Sequence, residues 1–213
     1  MEDRLMAAPI SDTLESIAKS LEERGWSVTD ALLHRDSIDL LAAELLSLWE
    51  ADAFREARVG AGEAEVRRED IRSNSLRWLS PESPTLTQRP YFEVMERLRL
   101  ALNQRLFLGL LELECHYAVY KPGEFYERHL DSHEHSDARV VSTTLYLNDN
   151  WQERDGGHIR LYTGSETIDI LPTVGTMAIF LSEKIPHEVL PATRNRLSLT
   201  GWFRRRSFTR IYP

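Results

Sequence analysis

The sequence has little cysteine, no excess of positive charge and no long apolar run. Its single cysteine, Cys115, excludes an intramolecular disulfide framework and is typical of a reducing compartment. No run approaches the roughly 18 apolar residues of a membrane span, and the start Met1–Arg4 lacks the basic and apolar character of a secretory signal. Lys and Arg number 26 against 34 for Asp and Glu, so the net charge of −8 disfavours nucleic acid as a partner. We therefore expect a cytoplasmic protein with no nucleic-acid or membrane partner.

The spacing of apolar residues changes near the middle of the 213-residue chain, whose length suits one domain. In the first half, apolar residues recur every three or four positions, which predicts three helices, the second over about 37–58 and the third from Pro90. Residues 59–84 mix Gly, charged residues, Ser and Pro around the stretch Ile71–Leu79, which predicts a mobile hairpin or flap instead of packed core. We expect residues 1–110 to form a helical support for a β-rich core of residues 111–213, within one structural domain.

Apolar and polar residues alternate in short runs from Leu111 onward, and such alternation predicts β-strands. The runs lie at about 113–121, 139–147, 158–163, 167–171, 175–181, 186–191 and 196–204. Evenly spaced short strands indicate a sandwich or a jelly-roll barrel, and the helical first half makes the fold class α+β. Two strands each carry a polar face that meets either solvent or the barrel interior: Ser142, Thr144 and Tyr146 in one, and Arg196, Ser198, Thr200 and Trp202 in the other.

His129 and Asp131 form a candidate metal-binding pair. On an extended segment, side chains two residues apart share a face at a backbone distance of about 7 Å, so both can converge on one ion. His187, 58 residues after His129 and near the start of a late strand, is the candidate third ligand. Two histidines and one carboxylate leave coordination positions open, as in non-heme Fe(II) oxygenases. Catalytic zinc is the rival, because it also uses three protein ligands and one open position.

Arg196 lies nine residues after His187 and shares its strand face with Ser198 and Thr200. A guanidinium inside a barrel requires an anionic partner, since an unpaired buried charge is very costly. No carboxylate shares the predicted face, so a bound ligand is a candidate partner. The planar guanidinium fork suits a carboxylate, and Tyr146 can add a hydroxyl donor. Together with an iron-binding triad, this clamp indicates 2-oxoglutarate as a cosubstrate.

Five stretches of the sequence resemble a known enzyme family in order and spacing: 120–131, 139–148, 155–160, 186–191 and 196–202. The sequence resembles the prolyl hydroxylase branch of the Fe(II)/2-oxoglutarate oxygenases, and within it the bacterial enzymes related to animal hypoxia-sensing prolyl hydroxylases. A weaker match begins at Ile71, where relatives often carry Arg-Gly-Asp and this chain has Arg72, Ser73 and Asn74. In the family, this segment belongs to a flexible loop over the active site and can form an ion pair with the residue matching Arg139.

The resemblance implies a double-stranded β-helix, jelly-roll or cupin-like, with supporting N-terminal helices and an active-site loop at about 59–84. It implies hydroxylation of a prolyl residue at C4 with Fe(II), 2-oxoglutarate and dioxygen, and ascorbate is a further candidate cofactor. The implied protein substrate is elongation factor Tu, and we expect a monomer. By position in the motifs, the implied residues are the iron ligands His129, Asp131 and His187, the 2-oxoglutarate-binding Arg196, Tyr146 and Tyr120, and the substrate-binding Arg139 and Trp202.

Two other functions remain open on the sequence alone. The protein is alternatively a 2-oxoglutarate oxygenase of a small amino acid such as free proline, or a non-catalytic barrel that senses a metal or a dicarboxylate. Among the remaining chemically active residues, His116 is interpreted as a packing residue or a neighbour of the ligands, and Cys115 as a buried apolar residue. The His133–His135 segment is interpreted as a solvated loop instead of a second metal site.

Overall fold

Three amphipathic helices lie in the first half of the computed structural model, which describes residues 10–57, 71–132, 139–164 and 166–206. They are α1 (Ile10–Arg24), α2 (Arg35–Glu50) and α3 (Arg89–Leu106). Each buries one apolar face, as its periodicity predicts. Helix α2 is shorter than predicted, because Asp52 adopts a left-handed φ of 54° and turns the chain out of the helix. Within the described ranges, no helix is long and apolar enough to cross a bilayer.

Within the described parts of the chain, eleven strands form two antiparallel sheets. The strands are β1 (Trp26–Thr29), β2 (Arg55–Glu56), β3 (Ser75–Leu79), β4 (Glu112–Tyr120), β5 (Tyr126–His129), β6 (Arg139–Tyr146), β7 (Ile159–Tyr162), β8 (Thr167–Ile170), β9 (Met177–Leu181), β10 (His187–Val189) and β11 (Arg196–Arg204). The large sheet has the order β1-β9-β6-β11-β4-β3-β2, and the small sheet has the order β5-β10-β7-β8. A short 3-10 turn, Glu153–Asp155, precedes β7.

The large sheet is covered on one face by the helices and on the other by the small sheet. Its helix-facing residues, including Tyr117, Val141 and Leu199, form one core with the buried faces of the three helices. Its other face, including Tyr146 and Phe180, packs on residues of the small sheet. This architecture is a double-stranded β-helix with supporting helices, and the predicted α+β fold is confirmed.

Alternation along β6 and β11 places their polar sets inside the barrel, not in solvent. Ser142 and Tyr146 are buried on the inner side of β6, and Arg196 and Ser198 are buried on β11. Because side chains alternate along a strand, the neighbouring Val141 and Leu199 face the helices instead. The fold thus provides an interior lined with polar groups.

Strand β3 lies within the predicted hairpin or flap, and it pairs antiparallel with β2. Ser75–Leu79 pairs with β4 in the register Ser75↔Val119 to Leu79↔Cys115, so this part of 59–84 belongs to the large sheet. This strand shows no clean alternation of apolar and polar residues, because Arg77 and Trp78 are both exposed. The preceding part of the flap, 59–70, lies outside the described residues.

Asn148 joins three segments just after β6. Its side-chain amide donates to the carbonyls of Pro172 and Leu197, at 2.8 and 3.1 Å, and its carbonyl accepts from the Leu197 amide at 2.6 Å. We expect Asn148→Ala to lower the free energy of unfolding by about 2–4 kcal/mol, because buried main-chain groups lose their partners. Urea denaturation measures this loss, and the exposed neighbour Asp149 provides the control. If Asn148→Ala destabilises no more than Asp149→Ala, these bonds do not hold the sheet.

Candidate active site

A strand pair brings three candidate metal ligands together. His129 ends β5 and lies opposite His187, the first residue of β10, while Asp131 lies two residues beyond the end of β5. The Asp131 carboxylate lies between the two rings, with Oδ1 3.5 Å from His129 Nε2 and Oδ2 3.5 Å from His187 Nε2. All three ligand atoms lie within 4.8 Å of one another. This cluster could hold one metal ion.

Hydrogen bonds orient each of these side chains. The Nδ1 atoms of His129 and His187 lie 2.6 and 3.2 Å from the carbonyls of Glu127 and Ile185, respectively. A ring that donates from Nδ1 to a carbonyl keeps the Nε2 lone pair free for a metal. Ser142 Oγ donates to Asp131 Oδ2 at 2.6 Å. The cluster is therefore preorganised.

The protonation states also suit a divalent cation. Burial alone would raise the pKa of Asp131, yet His187, His129 and the Ser142 hydroxyl together hold that pKa well below its usual range. Burial lowers the pKa of His187 to about 4, although Asp131 opposes the shift. At neutral pH the site therefore presents a carboxylate beside a neutral His187 imidazole, the forms that bind divalent transition metals.

Arg196, 1% exposed, lies inside the barrel at the start of β11. Its Nε donates to the Gly157 carbonyl at 2.7 Å. Its Nη2 has no hydrogen-bond partner among the described residues, and the same is true of the nearby Tyr146 hydroxyl. The guanidinium lies 4.9 Å from the Tyr146 ring centre and 5.2 Å from that of Tyr120. Because a buried guanidinium without an anion is costly, these free donors fit a bound carboxylate such as that of 2-oxoglutarate.

One cleft connects Arg196 to the metal cluster. Most of the predicted site residues line it, namely His129, Asp131, His187, Arg196, Tyr120 and Trp202, whereas Tyr146 lies beneath Arg196 and Arg139 lies outside the lining. Burial raises the pKa of Tyr146 to about 12 and raises that of Tyr120, so both phenols stay protonated and can donate hydrogen bonds. Thr144 and Thr200 complete the polar wall.

Sequence reasoning missed Tyr126 and Arg72. The Tyr126 ring stacks on His129 with centres 3.5 Å apart, and the Arg72 guanidinium lies 4.8 Å from the Tyr126 ring centre. Strict alternation would place Tyr126 and His129 on opposite faces, but a register shift where β5 meets β10 brings both into the cleft. The only sequence signal for Arg72 was its match to the arginine of Arg-Gly-Asp.

The mouth of the cleft is aromatic. The His116 ring contacts Trp78 and Trp202, with centres 5.0 and 5.4 Å apart, and Trp78 is 49% exposed. Arg139 covers the Trp202 ring at 3.7 Å and donates to Glu114 Oε1 at 2.6 Å. Arg139 is thus paired with Glu114 on the neighbouring part of the large sheet.

The other histidine and cysteine interpretations have mixed outcomes. Cys115 is buried as expected, and burial raises the pKa of its thiol to about 12, so the thiol is unreactive. His116 packs between aromatic rings but also lines the cleft. The His133–His135 segment lies outside the described residues.

Comparison with known proteins agrees with this geometry. A family model described as the 2OG-Fe(II) oxygenase superfamily matches residues 115–204. A prolyl-4-hydroxylase crystal structure from Pseudomonas putida is 43% identical, covers 91% of this chain and 99% of its own, and superposes with a TM-score of 0.82. A prolyl hydroxylase from Trichoplax adhaerens, solved with a peptide fragment of the hypoxia inducible factor oxygen degradation domain, has the same fold. It is 23% identical, with a TM-score of 0.85 over 96% of this chain and 94% of that chain.

Curated animal proteins are similar over part of their length. The hypoxia-inducible factor prolyl hydroxylase of Caenorhabditis elegans is 28% identical over 89% of this chain and 28% of that protein. Egl nine homolog 1 of Rattus norvegicus is 25% identical over 89% of this chain and 58% of its own length, so this chain spans only part of these relatives. The predicted family is nevertheless confirmed by the P. putida relative, which the chain covers almost completely. The chain belongs to the prolyl hydroxylases of the 2OG-Fe(II) oxygenase superfamily.

Proposed function

We propose that this protein is a 2-oxoglutarate-dependent dioxygenase that hydroxylates C4 of a prolyl residue within a protein. His129, Asp131 and His187 hold Fe(II), and Arg196, Tyr146 and Tyr120 bind 2-oxoglutarate. The observation that carries the proposal is one cleft that joins a three-ligand metal cluster to a buried guanidinium whose Nη2 has no partner among the described residues. Family membership favours iron over zinc.

The protein residues contribute binding, orientation and shielding. Bound Fe(II), with 2-oxoglutarate and dioxygen, supplies the oxidising chemistry that C–H hydroxylation requires. Arg196 Nη2 and the Tyr146 hydroxyl donate hydrogen bonds to the distal carboxylate of 2-oxoglutarate, and Tyr120 adds a further donor. Since Arg196 is buried, this charge-assisted contact forms in a site of low dielectric, where it is strong. Ascorbate stays a candidate cofactor.

Support for a polypeptide substrate comes from the mouth of the cleft and from a relative. Half-exposed Trp78, beside Trp202 and Arg139, offers apolar and cationic surface outside the buried cavity. A structural neighbour was solved with a peptide bound. We propose that Trp202 and Arg139 contact the substrate. We also propose that the substrate is elongation factor Tu, because the sequence resembles bacterial prolyl hydroxylases.

We further infer that residues 1–110 and 111–213 form one structural domain that acts as a cytoplasmic monomer.

Purified host elongation factor Tu tests the substrate. Incubation with the protein, Fe(II), 2-oxoglutarate and air is expected to add one oxygen atom to a proline, because that factor would present the proline to the cleft. Peptide mass spectrometry measures the change, and a reaction without 2-oxoglutarate is the control. Steady succinate formation with no change in mass on the factor would reject this substrate and retain the oxygenase. Hydroxylation of free proline instead would favour the small-molecule alternative.

A further inference from the structure

Two buried side-chain atoms at the mouth of the cleft have no hydrogen-bond partner among the described residues. They are His116 Nε2 and Trp202 Nε1. His116 lies on β4 opposite Thr200, and Trp202 lies two residues farther along β11, so both side chains share the inner face of the sheet. Both line the cleft. Contacts with Trp78 and Trp202 fix the His116 ring.

The two atoms have opposite hydrogen-bonding roles. His116 Nδ1 lies 3.2 Å from the Tyr117 carbonyl, so this nitrogen carries the proton and Nε2 keeps its lone pair. Burial lowers the pKa of His116 to about 3, with further lowering by Arg72 and Arg139, which keeps the ring neutral. The indole nitrogen of Trp202 is only a donor. The mouth therefore offers one acceptor and one donor.

We propose that His116 and Trp202 bind the substrate main chain, with His116 Nε2 accepting from the N–H of the residue that follows the target proline and Trp202 Nε1 donating to a main-chain carbonyl. An extended residue presents its N–H and C=O on the same side, as in a hydrogen-bonded antiparallel pair. Proline lacks an N–H, so the donor belongs to a neighbouring residue. This inference rests on the proposed prolyl hydroxylation.

A purely structural role for His116 does not explain why a histidine, with an unpaired Nε2, occupies this position. An apolar ring or side chain would pack between Trp78 and Trp202 without burying a lone pair that has no partner among the described residues. His116 also lies outside the cluster of candidate metal ligands. A main-chain N–H of the substrate would give His116 Nε2 the hydrogen-bond donor that it lacks. The enzyme would then prefer a peptide to free proline, because free proline has no flanking amide.

Peptide kinetics test the contact with two variants. The probe is a pool of synthetic peptides with a fixed central proline and random flanks, from which the best-hydroxylated sequence is resynthesised. His116→Leu, which removes the acceptor, is expected to raise the KM of this peptide roughly tenfold. The effect should fall on KM more than on kcat, because the contact holds the bound peptide. His116→Gln, which keeps an acceptor, should stay within about threefold of the wild type. An unchanged KM in His116→Leu would overturn the proposal.

An ester in place of the flanking amide identifies the donor. Replacing that N–H by oxygen is expected to raise the KM for the wild-type protein and to have no effect on His116→Leu, because the variant has no acceptor to lose. Equal penalties in both proteins would assign the effect of the ester to another contact and reject His116 as the partner.

A binding measurement decides the question even if no peptide of the pool is hydroxylated. The probe is N-acetylproline methylamide, added to protein labelled with ¹⁵N-histidine and loaded with Zn²⁺ and 2-oxoglutarate. The His116 Nε2 resonance is expected to shift as the methylamide N–H binds, and N-acetylproline dimethylamide, which lacks that N–H, should leave it in place. A shift without turnover would reject the proposed function and retain the contact. The absence of a shift, or equal shifts with both amides, would reject the contact.

Discussion

Asp131→Ala is expected to abolish Fe(II) binding and to lower prolyl hydroxylation more than about 100-fold. Asp131 is the anionic member of the cluster and lies 3.5 Å from both imidazoles, so its loss leaves two imidazole ligands and no carboxylate. Residues that only orient a metal ligand typically cost 10–100-fold in affinity or activity when they are changed. The loss of a direct ligand should exceed that range. Titration calorimetry with Fe(II) under anaerobic conditions and mass spectrometry of the product measure the two effects.

Two matched variants separate ligation from general damage. Glu188 lies next to His187 but pairs with Tyr162 and Arg160, so Glu188→Gln should keep near-normal iron affinity. Ser142→Ala removes the 2.6 Å bond to Asp131 while the carboxylate remains, and should lower iron affinity by 10–100-fold. Iron bound by Asp131→Ala as tightly as by Glu188→Gln would contradict the assignment of the metal site.

The components of the site that the sequence predicted depend on local spacing. His129 and Asp131 are two residues apart, and alternation puts Tyr146 on the polar face of β6 and Arg196 on the polar face of β11. Alternation alone left open whether these faces meet solvent or the barrel interior, and the candidate metal and dicarboxylate sites favoured the interior. The partnership with His187 is not local, because it requires β10 to pair with β5. It was predicted through the chemistry of a third ligand and the family resemblance.

The components that were missed depend on register between distant strands. Strand β1 has four residues and pairs with β9 about 150 residues away, so its own sequence has too little periodicity to reveal it. The register shift at β5 places Tyr126 against His129, which strict alternation forbids. Glu114 and Arg139 meet because β11 lies between β4 and β6, and only the assembled sheet reveals this pair.

Arg196→Met is expected to weaken 2-oxoglutarate binding by at least 30-fold, which corresponds to the 2–5 kcal/mol typical of truncating one partner of a buried, hydrogen-bonded charge pair. Arg196→Lys should retain part of the affinity, because lysine keeps the charge but lacks the planar fork. Dependence of succinate formation on 2-oxoglutarate concentration measures the effect. Arg194→Met is the matched control, since Arg194 is partly exposed, pairs with Asp155 and covers Trp151. It should leave the KM for 2-oxoglutarate unchanged.

Stability in the absence of 2-oxoglutarate distinguishes a ligand-binding arginine from a structural one. In the free protein, Arg196 donates from Nε to Gly157, and its Nη2 has no partner within the described ranges. Arg196→Met therefore removes a poorly compensated buried charge. Without 2-oxoglutarate, the free energy of unfolding of the variant should fall by less than about 2 kcal/mol or should rise above that of the wild type. Saturating 2-oxoglutarate should then raise the Tm of the wild-type protein but not that of the variant. A variant that unfolds without ligand would instead assign Arg196 a structural role, because the protein would depend on this guanidinium before any dicarboxylate is bound.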